Sequence, residues 1–413
     1  MKRMLRQGYG TPQGAHDVLA PQCRLRRRIE ERLTGCFEKR GYREVKTPLL
    51  EYYDVFLREE NTLDTARMYK LIDGGEVLVI RPDSTAPIGR LFAARLQSAP
   101  LPLRLYYQQD VFRVCGGHRG ERVQTTQCGV ELIGAQGLRA DTEIAETALR
   151  ALADAGLRDY KIELGHAGIF RALAGAIRFR EGDGEKVRYL TEVKNYAAVN
   201  DVLKEYDAEY HDACEALRRL PRIFGGGEIF EEAERIIRTP AAAEALAYLK
   251  TVYEALCGLG CGGRVMLDLA LANHMEYYTG IVLSGYAHGA GEPVLSGGRY
   301  DTLIRGFGAD VAATGFAVNV DAVAEALEQS GGGEREKPAD ELLYFSADRA
   351  AEAYAYAEAR RGAGVCVELS TADSREESEA VARQKGIPAL VCFDAKSGVT
   401  KRSLCEDDGR TAR

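Results

Sequence analysis

Gln127 and Glu131 stand four residues apart in QTTQCGVELIG, a run that reads as a strand. A period of two places both side chains on one face, with Cys128, Val130 and Leu132 on the other. A carboxylate beside an amide suits the ammonium group of a ligand, provided that face is covered rather than open to water. Spacing alone favours the plainer reading, in which both simply face solvent. In RPDSTAP, residues 81–87, Asp83, Ser84 and Thr85 are residue types that cap a following helix. Capping is compatible with ligand binding, because helix starts also present free backbone donors. HMEYYTG, His274 to Gly280, and SGGRYD, Ser296 to Asp301, set tyrosines beside glycines. Such runs either pack a sheet with close backbone approaches or wall a small pocket with hydroxyls.

Other chemistry is missing. The chain has no GxxxxGK[ST] phosphate loop, no strand-bound GxGxxG, no HExxH and no GxSxG. Gly116, Gly117 and Gly120 lack dinucleotide spacing and read as hairpin-turn glycines. His166, in LGHAGIF, has no acid or nucleophile partner in sequence and reads as structural. Ten cysteines are scattered from Cys23 to Cys405, and the only close pair is Cys257 and Cys261. No paired spacing announces a zinc site, so the expectation is reduced, buried, structural cysteines and no metal. The net charge of −7 argues mildly against affinity built on many phosphate contacts. Arg24, Arg26, Arg27 and Arg28 are balanced by Glu30, Glu31 and Glu38 and read as a solvated helix face. The N-terminal MKRMLRQGYGTPQ lacks an apolar run, and no stretch approaches the roughly 20 apolar residues of a membrane span. A cytoplasmic location is the expectation.

The candidate residues need elements to hold them. Residues 21–40 predict a helix beginning at Pro21, and YREVKTPLLEYYDVF an extended segment broken at Pro48. GGEVLVIRPDSTAPIGRLFAARL predicts a strand leading into a helix after Pro82. PLRLYYQQDVF and the Gln127 strand predict a long antiparallel hairpin. A helix over about Asp141–Ala155 and the strand DYKIELG come next. From about 167 to 261 the pattern is helical and polar, an inserted module. Strands return at RVMLDLAL, YYTGIVLSGYA, VLSGGRYDTLI and TGFAVNV. Residues 329–340 form a glycine- and charge-rich linker. Beyond it, 341–413 alternates strand and helix as a small α/β domain. The fold class expected is α+β, with residues 1–328 as a mostly antiparallel sheet core around the insert.

In combination these segments carry a resemblance. GYREVKTPLLEYYDVF resembles motif 1 of class II aminoacyl-tRNA synthetases, a dimer-forming element there. VFRVCGGHRGERVQTTQCGVELIG resembles motif 2 and ATGFAVNVDAVAEAL motif 3. IRPDSTAP, TTQCGVE, EYYTGIV and SGGRYD are similar to histidyl-tRNA synthetase in particular. The likeness covers residues 11–165 and 262–327, and the last domain resembles a worn anticodon-binding domain.

The departures from that family concentrate at the nucleotide. Motif 2 has Cys115 where a glutamate holds the adenine end, and the arginine expected after the loop is replaced near Glu121 to Val123. Motif 3 ends on Ala322 instead of arginine, and Asn273 stands for the catalytic arginine of the histidine-specific motif. Losing one contact to developing charge commonly costs about 10²- to 10³-fold. Conversely, Thr85, Arg113, Gln127, Glu131, Tyr278 and Tyr300 match the family's histidine-binding positions, and Asp83 stands where a glutamate is frequent. By this resemblance Glu131 and Gln127 face the amino or imidazole side, Tyr278 and Tyr300 wall the ring, and Arg113 lies near the carboxylate. LGHAGIFRAL and LPRIFGGGEIFEEA are more similar to the regulatory subunits of ATP phosphoribosyltransferase. The likeness implies a non-catalytic subunit without cofactor that binds L-histidine. It would form a homodimeric core, join a short-form ATP phosphoribosyltransferase catalytic subunit in a hetero-oligomer, and serve the first step of histidine biosynthesis and its feedback inhibition. Neither tRNA nor membrane is an expected partner. The alternatives are a divergent histidyl-tRNA synthetase and a tRNA-binding paralogue.

Overall fold

The computed structural model describes residues 10–57, 65–116, 121–271, 278–333, 337–394 and 398–404. Two compact units divide the chain, residues 1–334 and 335–413.

In the first unit, α1 (Ala20–Glu38) opens with Pro21 in its first turn, where no intrahelical N–H is needed. Leu25, Ile29, Leu33 and Phe37 recur one turn apart and are all fully buried. The extended segment around Pro48 becomes β1 (Arg43–Glu44) and β2 (Leu50–Tyr52). Next come β3 (Lys70–Asp73), β4 (Glu76–Ile80) and α2 (Thr85–Leu91). The hairpin is β5 (Leu103–Phe112) and β6 (Gln124–Ile133), paired antiparallel along their whole length. Helix α3 (Gly137–Ala155) starts four residues before the expected Asp141 and stops at Gly156, whose φ of 108° suits a residue without Cβ.

Strand β7 (Tyr160–His166) leads into the insert. Its helices are α4 (Ala167–Gly175), α5 (Asp183–Glu192), α6 (Tyr196–Lys204) and α7 (Asp207–Arg219), then α8 (Ile229–Ile236) and α9 (Pro240–Gly258). The insert is not purely helical. Between α7 and α8 lies β8 (Phe224–Gly225), two residues too short to leave an alternation in sequence. The core then closes with β9 (Val265–Asp268), β10 (Ile281–Ala287), β11 (Leu295–Arg299), β12 (Ala313–Asn319) and α10 (Val320–Gln329).

Nine strands form one sheet in the order β1-β5-β6-β12-β11-β10-β7-β9-β8. All neighbours are antiparallel except β1 with β5 and β7 with β9. Helices α1, α3 and α10 cover one face, where Cys128, Val130 and Leu132 meet Leu25, Ile144, Leu152 and Val323 in a continuous core. Full burial of each such side chain contributes about 1.5–3 kcal/mol. The opposite face of β5, β6 and β12 carries the candidate ligand residues. Strands β2, β4 and β3 form a separate three-stranded sheet.

On the arginine-rich face of α1, Arg24 and Arg27 are exposed as expected, but Arg26 departs from that solvation. Arg26 is drawn onto Asp321, a buried carboxylate at the start of α10, at 2.6 Å. The cysteine expectation needs correction too. Cys36, Cys128, Cys214, Cys261 and Cys392 are buried free thiols, but Cys23, Cys257 and Cys366 are exposed.

The second unit has β13 (Glu341–Phe345), α11 (Ala350–Gly362), β14 (Val367–Leu369), α12 (Arg375–Lys385), β15 (Ala389–Asp394) and β16 (Gly398–Ser403). The sheet order is β14-β13-β15-β16, parallel except for the edge strand β16. GVTKRS has no apolar alternation, so β16 leaves no mark in sequence; pairing with β15 makes it a strand.

Candidate functional site

Three local structures converge on one small cavity. The first is the turn before α2. The Arg81 guanidinium is buried and donates to the carbonyl oxygens of Thr47 and Pro48, each at 2.9 Å, and of Asp110 at 2.8 Å. That ties the turn to the Pro48 segment and to the end of β5. Asp83, rather than Ser84, is the capping side chain: its Oδ1 accepts the Ala86 N–H at 3.0 Å. Thr85, the first residue of α2, is left to point its hydroxyl at β6.

The second is the hairpin. Gln127 and Glu131 do share the face opposite Cys128, Val130 and Leu132; Gln127 is half-buried, and Glu131 does not face bulk water. Glu131 is only 1% exposed. Gly129 between them leaves a floor on which the Tyr107 ring lies, since a Cβ there would meet that ring at 2.5 Å. Across the sheet Glu131 pairs with Gly315 of β12, where a Cβ would sit 2.0 Å from its Oε2. Glycine at 129 and 315 is therefore required by close approach, not by backbone conformation. The third is the pair of tyrosine segments, which deliver the buried Tyr278 and Tyr300 as walls.

The resulting cavity is about 100 Å³, and Asp83, Thr85, Arg113, Gln127, Glu131, Tyr278 and Tyr300 all line it. Tyr107, Ser296, Gly297, Gly315, Phe316 and Ala317 complete the walls. Sequence reasoning missed Tyr107, whose only signal is that it neighbours Gly129 once β5 and β6 are in register. Both readings of the tyrosine and glycine runs hold together: glycines allow close approach, and tyrosines wall the space that results.

Glu131 is the electrostatic centre. Its Oε1 accepts the Thr85 hydroxyl at 2.9 Å, and its Oε2 accepts the Tyr300 hydroxyl. Burial pushes the Glu131 carboxyl up to about 8, opposed by those two hydroxyls and reinforced by Asp83. Burial also raises Asp83, against the pull of the Ala86 N–H and of Arg113. Arg113 Nε donates to the Pro82 carbonyl at 2.9 Å, which aims the guanidinium along the cavity wall. The site thus combines buried carboxyl groups, one cation, an amide and aromatic hydroxyls around a space for a small zwitterion.

The positions that depart from the synthetase pattern are filled by structural contacts. Cys115 Sγ lies 3.4 Å from the Glu121 carbonyl and fills the space beside Gly14. The Val123 backbone joins Arg113 to Gly14, donating to Gly14 at 3.0 Å and accepting from Arg113 at 2.8 Å. Ala322 is fully buried at the start of α10, its N–H bound by the Asn319 side chain at 3.1 Å. Asn273, His274 and Tyr277 lie outside the described residues, as do Gly117 and Gly120. His166 is structural as expected: its Nδ1 caps α4 by accepting the Gly168 N–H at 3.1 Å. Burial, then Arg171 and Arg299, pull it down to about 4, so it is neutral near pH 7.

A larger cleft, about 810 Å³, lies on the Cys128 face of β6 between α1 and α10. Its arginines are already committed: Arg26 pairs with Asp321, and Arg122 with Asp321 and Glu325, each at 3.4 Å. Among the described residues no group of three or more His, Cys, Asp or Glu is arranged to hold a metal. Among the same residues no helix is long and apolar enough to cross a membrane.

The sheet order, the helix layer behind it and the glycine-floored cavity define a class II synthetase-like protein of the histidyl type. The family model for histidyl-tRNA synthetase matches residues 14–323. The chain resembles a solved histidyl-tRNA synthetase from a Nostoc species in fold alone, with TM-score 0.76 at 19% identity over 96% of this chain and 95% of that one. A much nearer likeness is to ATP phosphoribosyltransferase regulatory subunits. One from Clostridium kluyveri is 37% identical over 92% of this chain and 97% of its own length, and one from Clostridium botulinum is 34% identical over 96% and 94%. A solved structure from Bacillus halodurans, described as an ATP phosphoribosyltransferase regulatory subunit/histidyl-tRNA synthetase, has TM-score 0.82 and 32% identity over 94% and 99% of the two chains. The chain belongs to the family of ATP phosphoribosyltransferase regulatory subunits, relatives of histidyl-tRNA synthetase that share its class II fold.

Proposed function

We propose that this chain is a histidine-sensing subunit without catalysis of its own. It assembles with a separate short-form ATP phosphoribosyltransferase catalytic subunit and transmits feedback inhibition to it. The observation that carries the reading is the cavity around Glu131. A space of about 100 Å³ admits one small molecule, and its polar groups match the poles of L-histidine. The ammonium meets Glu131 and Gln127, the carboxylate meets Arg113, and the imidazole lies between Tyr278 and Tyr300. A charge-assisted bond of this kind is about twice as strong as a neutral one.

Loss of catalysis is supported by Cys115, Asn273 and Ala322, which stand where groups contacting ATP or the reacting carboxylate are expected. The isolated chain should show no histidine-dependent ATP–pyrophosphate exchange. Exchange at a rate useful for charging tRNA would instead favour a synthetase. Calorimetry with L-histidine, on the wild type and on Glu131→Gln, tests the pocket directly. Tight binding by the wild type that weakens at least tenfold in the variant is expected, and equal affinities would move the ligand elsewhere.

A homodimeric core is supported by the three-stranded sheet. Leu50, Tyr52 and Leu71 share one face, paired through Leu78 and Ile80 of β4, and are 46%, 57% and 43% exposed. Together with Leu49 this is an apolar surface on the motif 1-like segment, and a second copy of the chain is its proposed cover.

A further inference from the structure

The two tyrosines that wall the cavity belong to segments joined by an ionic chain that is buried at its Asp141–Arg299 end and half-buried at Asp301. Asp141 of α3 is fully buried, and its Oδ1 accepts Arg299 Nε at 2.9 Å and Nη2 at 2.7 Å. The same guanidinium reaches forward through Nη1 to Asp301 at 2.9 Å and to the Ala135 carbonyl at 3.2 Å. Arg299 and Asp301 flank Tyr300. Asp301 in turn holds Thr279: its N–H donates to the Thr279 hydroxyl at 3.1 Å, and its Oδ1 accepts the Ala313 N–H at 3.1 Å. The Thr279 N–H donates to the Arg299 carbonyl at 2.6 Å, which locks the two tyrosine segments side by side.

The insert grips this chain at one point and the Tyr278 wall of the cavity at another. Tyr248 of α9 donates its hydroxyl to the second oxygen of Asp141 at 2.6 Å, and its ring packs edge-on against His166 with centroids 5.9 Å apart. Arg171 of α4 donates to the Tyr278 carbonyl at 2.5 Å. Neither Tyr248 nor Arg171 lines the cavity. A stable fold does not require a buried aspartate–arginine pair such as Asp141 and Arg299, because apolar groups of similar shape commonly serve as well. What Asp141, Arg299 and Asp301 supply is a fixed geometry for the groups they join.

We propose that Arg299, with Asp141, Asp301 and Tyr248, is a positioning assembly that holds Tyr300 and Tyr278 in ligand-binding geometry and couples the helical insert to the cavity. The inference rests on the histidine-pocket reading for its ligand, but not for its geometry. Its direct target is the Tyr300 hydroxyl on Glu131. The other charged or titratable groups facing Glu131 are Asp83, Arg113, Tyr107 and Tyr278. None of these belongs to the ionic chain.

The test uses the full-length chain and two variants. Arg299→Lys keeps the charge but cannot bridge Asp141 and Asp301 together. Tyr248→Phe removes one hydroxyl on the insert and carries the test if Arg299→Lys fails to fold. The first readout is L-histidine affinity by calorimetry, expected to fall about tenfold in Arg299→Lys and severalfold in Tyr248→Phe. The second readout needs no ligand: the titration of the Glu131 carboxyl, followed by NMR of ¹³C-labelled glutamate and assigned with Glu131→Gln. With Tyr300 released, that titration should move upward, as it should in Tyr300→Phe, and the Arg299→Lys and Tyr300→Phe effects should not add. A merely structural role would lower melting temperature and leave the Glu131 titration in place, and that result overturns the proposal. If the wild type binds no histidine while the variants still move Glu131, the ligand reading fails and the positioning role stands.

Discussion

At the scale of single residues, Glu131 makes the protein sensitive to pH. The fold raises its carboxyl from 4.5 to about 8, so between those values the folded chain holds more protons than the unfolded one. The contribution of this group to stability is therefore greatest at low pH and falls as pH rises through that window, by about 1.4 kcal/mol per unit. Glu131→Gln should remove this slope, as chemical denaturation between pH 5 and 8 would read. Binding follows the same proton. A ligand ammonium needs the ionised carboxylate, so histidine should bind more tightly as pH rises from 6 to 8 and release a proton from Glu131. Calorimetry in buffers of different ionisation enthalpy measures that proton, and subtracting the Glu131→Gln result removes the ligand imidazole's own titration. An affinity difference between the two proteins that does not change with pH contradicts this assignment. Gly315→Ala would place a methyl 2.0 Å from Glu131 Oε2 and 2.3 Å from the Val130 carbonyl. Overpacking of this kind costs about 1–3 kcal/mol, so a lower melting temperature together with loss of histidine binding is expected.

At the scale of elements, the hairpin β5–β6 and its neighbour β12 act as a platform with two different faces. One face is apolar and covered by helices, and the other carries Gln127 and Glu131 above Gly129. The register of β12 matters as much as the residues do, since a slip of one would exchange Gly315 for a side chain over Glu131. The small sheet β2-β4-β3 plays a different part. Its Leu50, Tyr52 and Leu71 face is the exposed apolar surface that the proposed dimer would cover. Leu71→Lys combined with Tyr52→Lys should turn a dimer into a monomer in sedimentation velocity. A wild-type chain that is already monomeric at micromolar concentration would refute the dimer.

At the scale of the whole molecule, a regulator acts only through different affinities for two states of its partner, typically worth about 1–3 kcal/mol. Histidine should inhibit the mixed subunits far more than the catalytic subunit alone. Gln127→Ala with Glu131→Gln should leave assembly and basal phosphoribosyltransferase activity intact while blunting that inhibition. Inhibition of the double variant as strong as that of the wild type would place the inhibitory site outside this cavity.

Much of the fold and of the cavity is legible in the order of residues alone. The position of α1 comes from Pro21 and from the four-residue spacing of Leu25, Ile29, Leu33 and Phe37. The hairpin comes from alternation, and the face shared by Gln127 and Glu131 from the period of a strand. Motif likeness marks seven of the residues that line the cavity, although they are spread from 83 to 300. Those readings succeed because periodicity and residue type are local properties that the chain writes along its length. The rest depends on groups that are neighbours only after folding. Whether Glu131 meets water or the interior depends on Tyr107, Gly315 and Tyr300, from three other segments. The raised Glu131 titration is a property of that enclosure, because desolvation has no counterpart in a linear chain. Strands β8 and β16 exist through pairing alone, and Arg26 leaves its solvated helix face because folding brings the buried Asp321 within reach. Sequence determined which residues could bind a small zwitterion. Tertiary structure decided that they surround one cavity, how dry it is, and that Asp141 and Arg299, far apart in the chain, hold its walls.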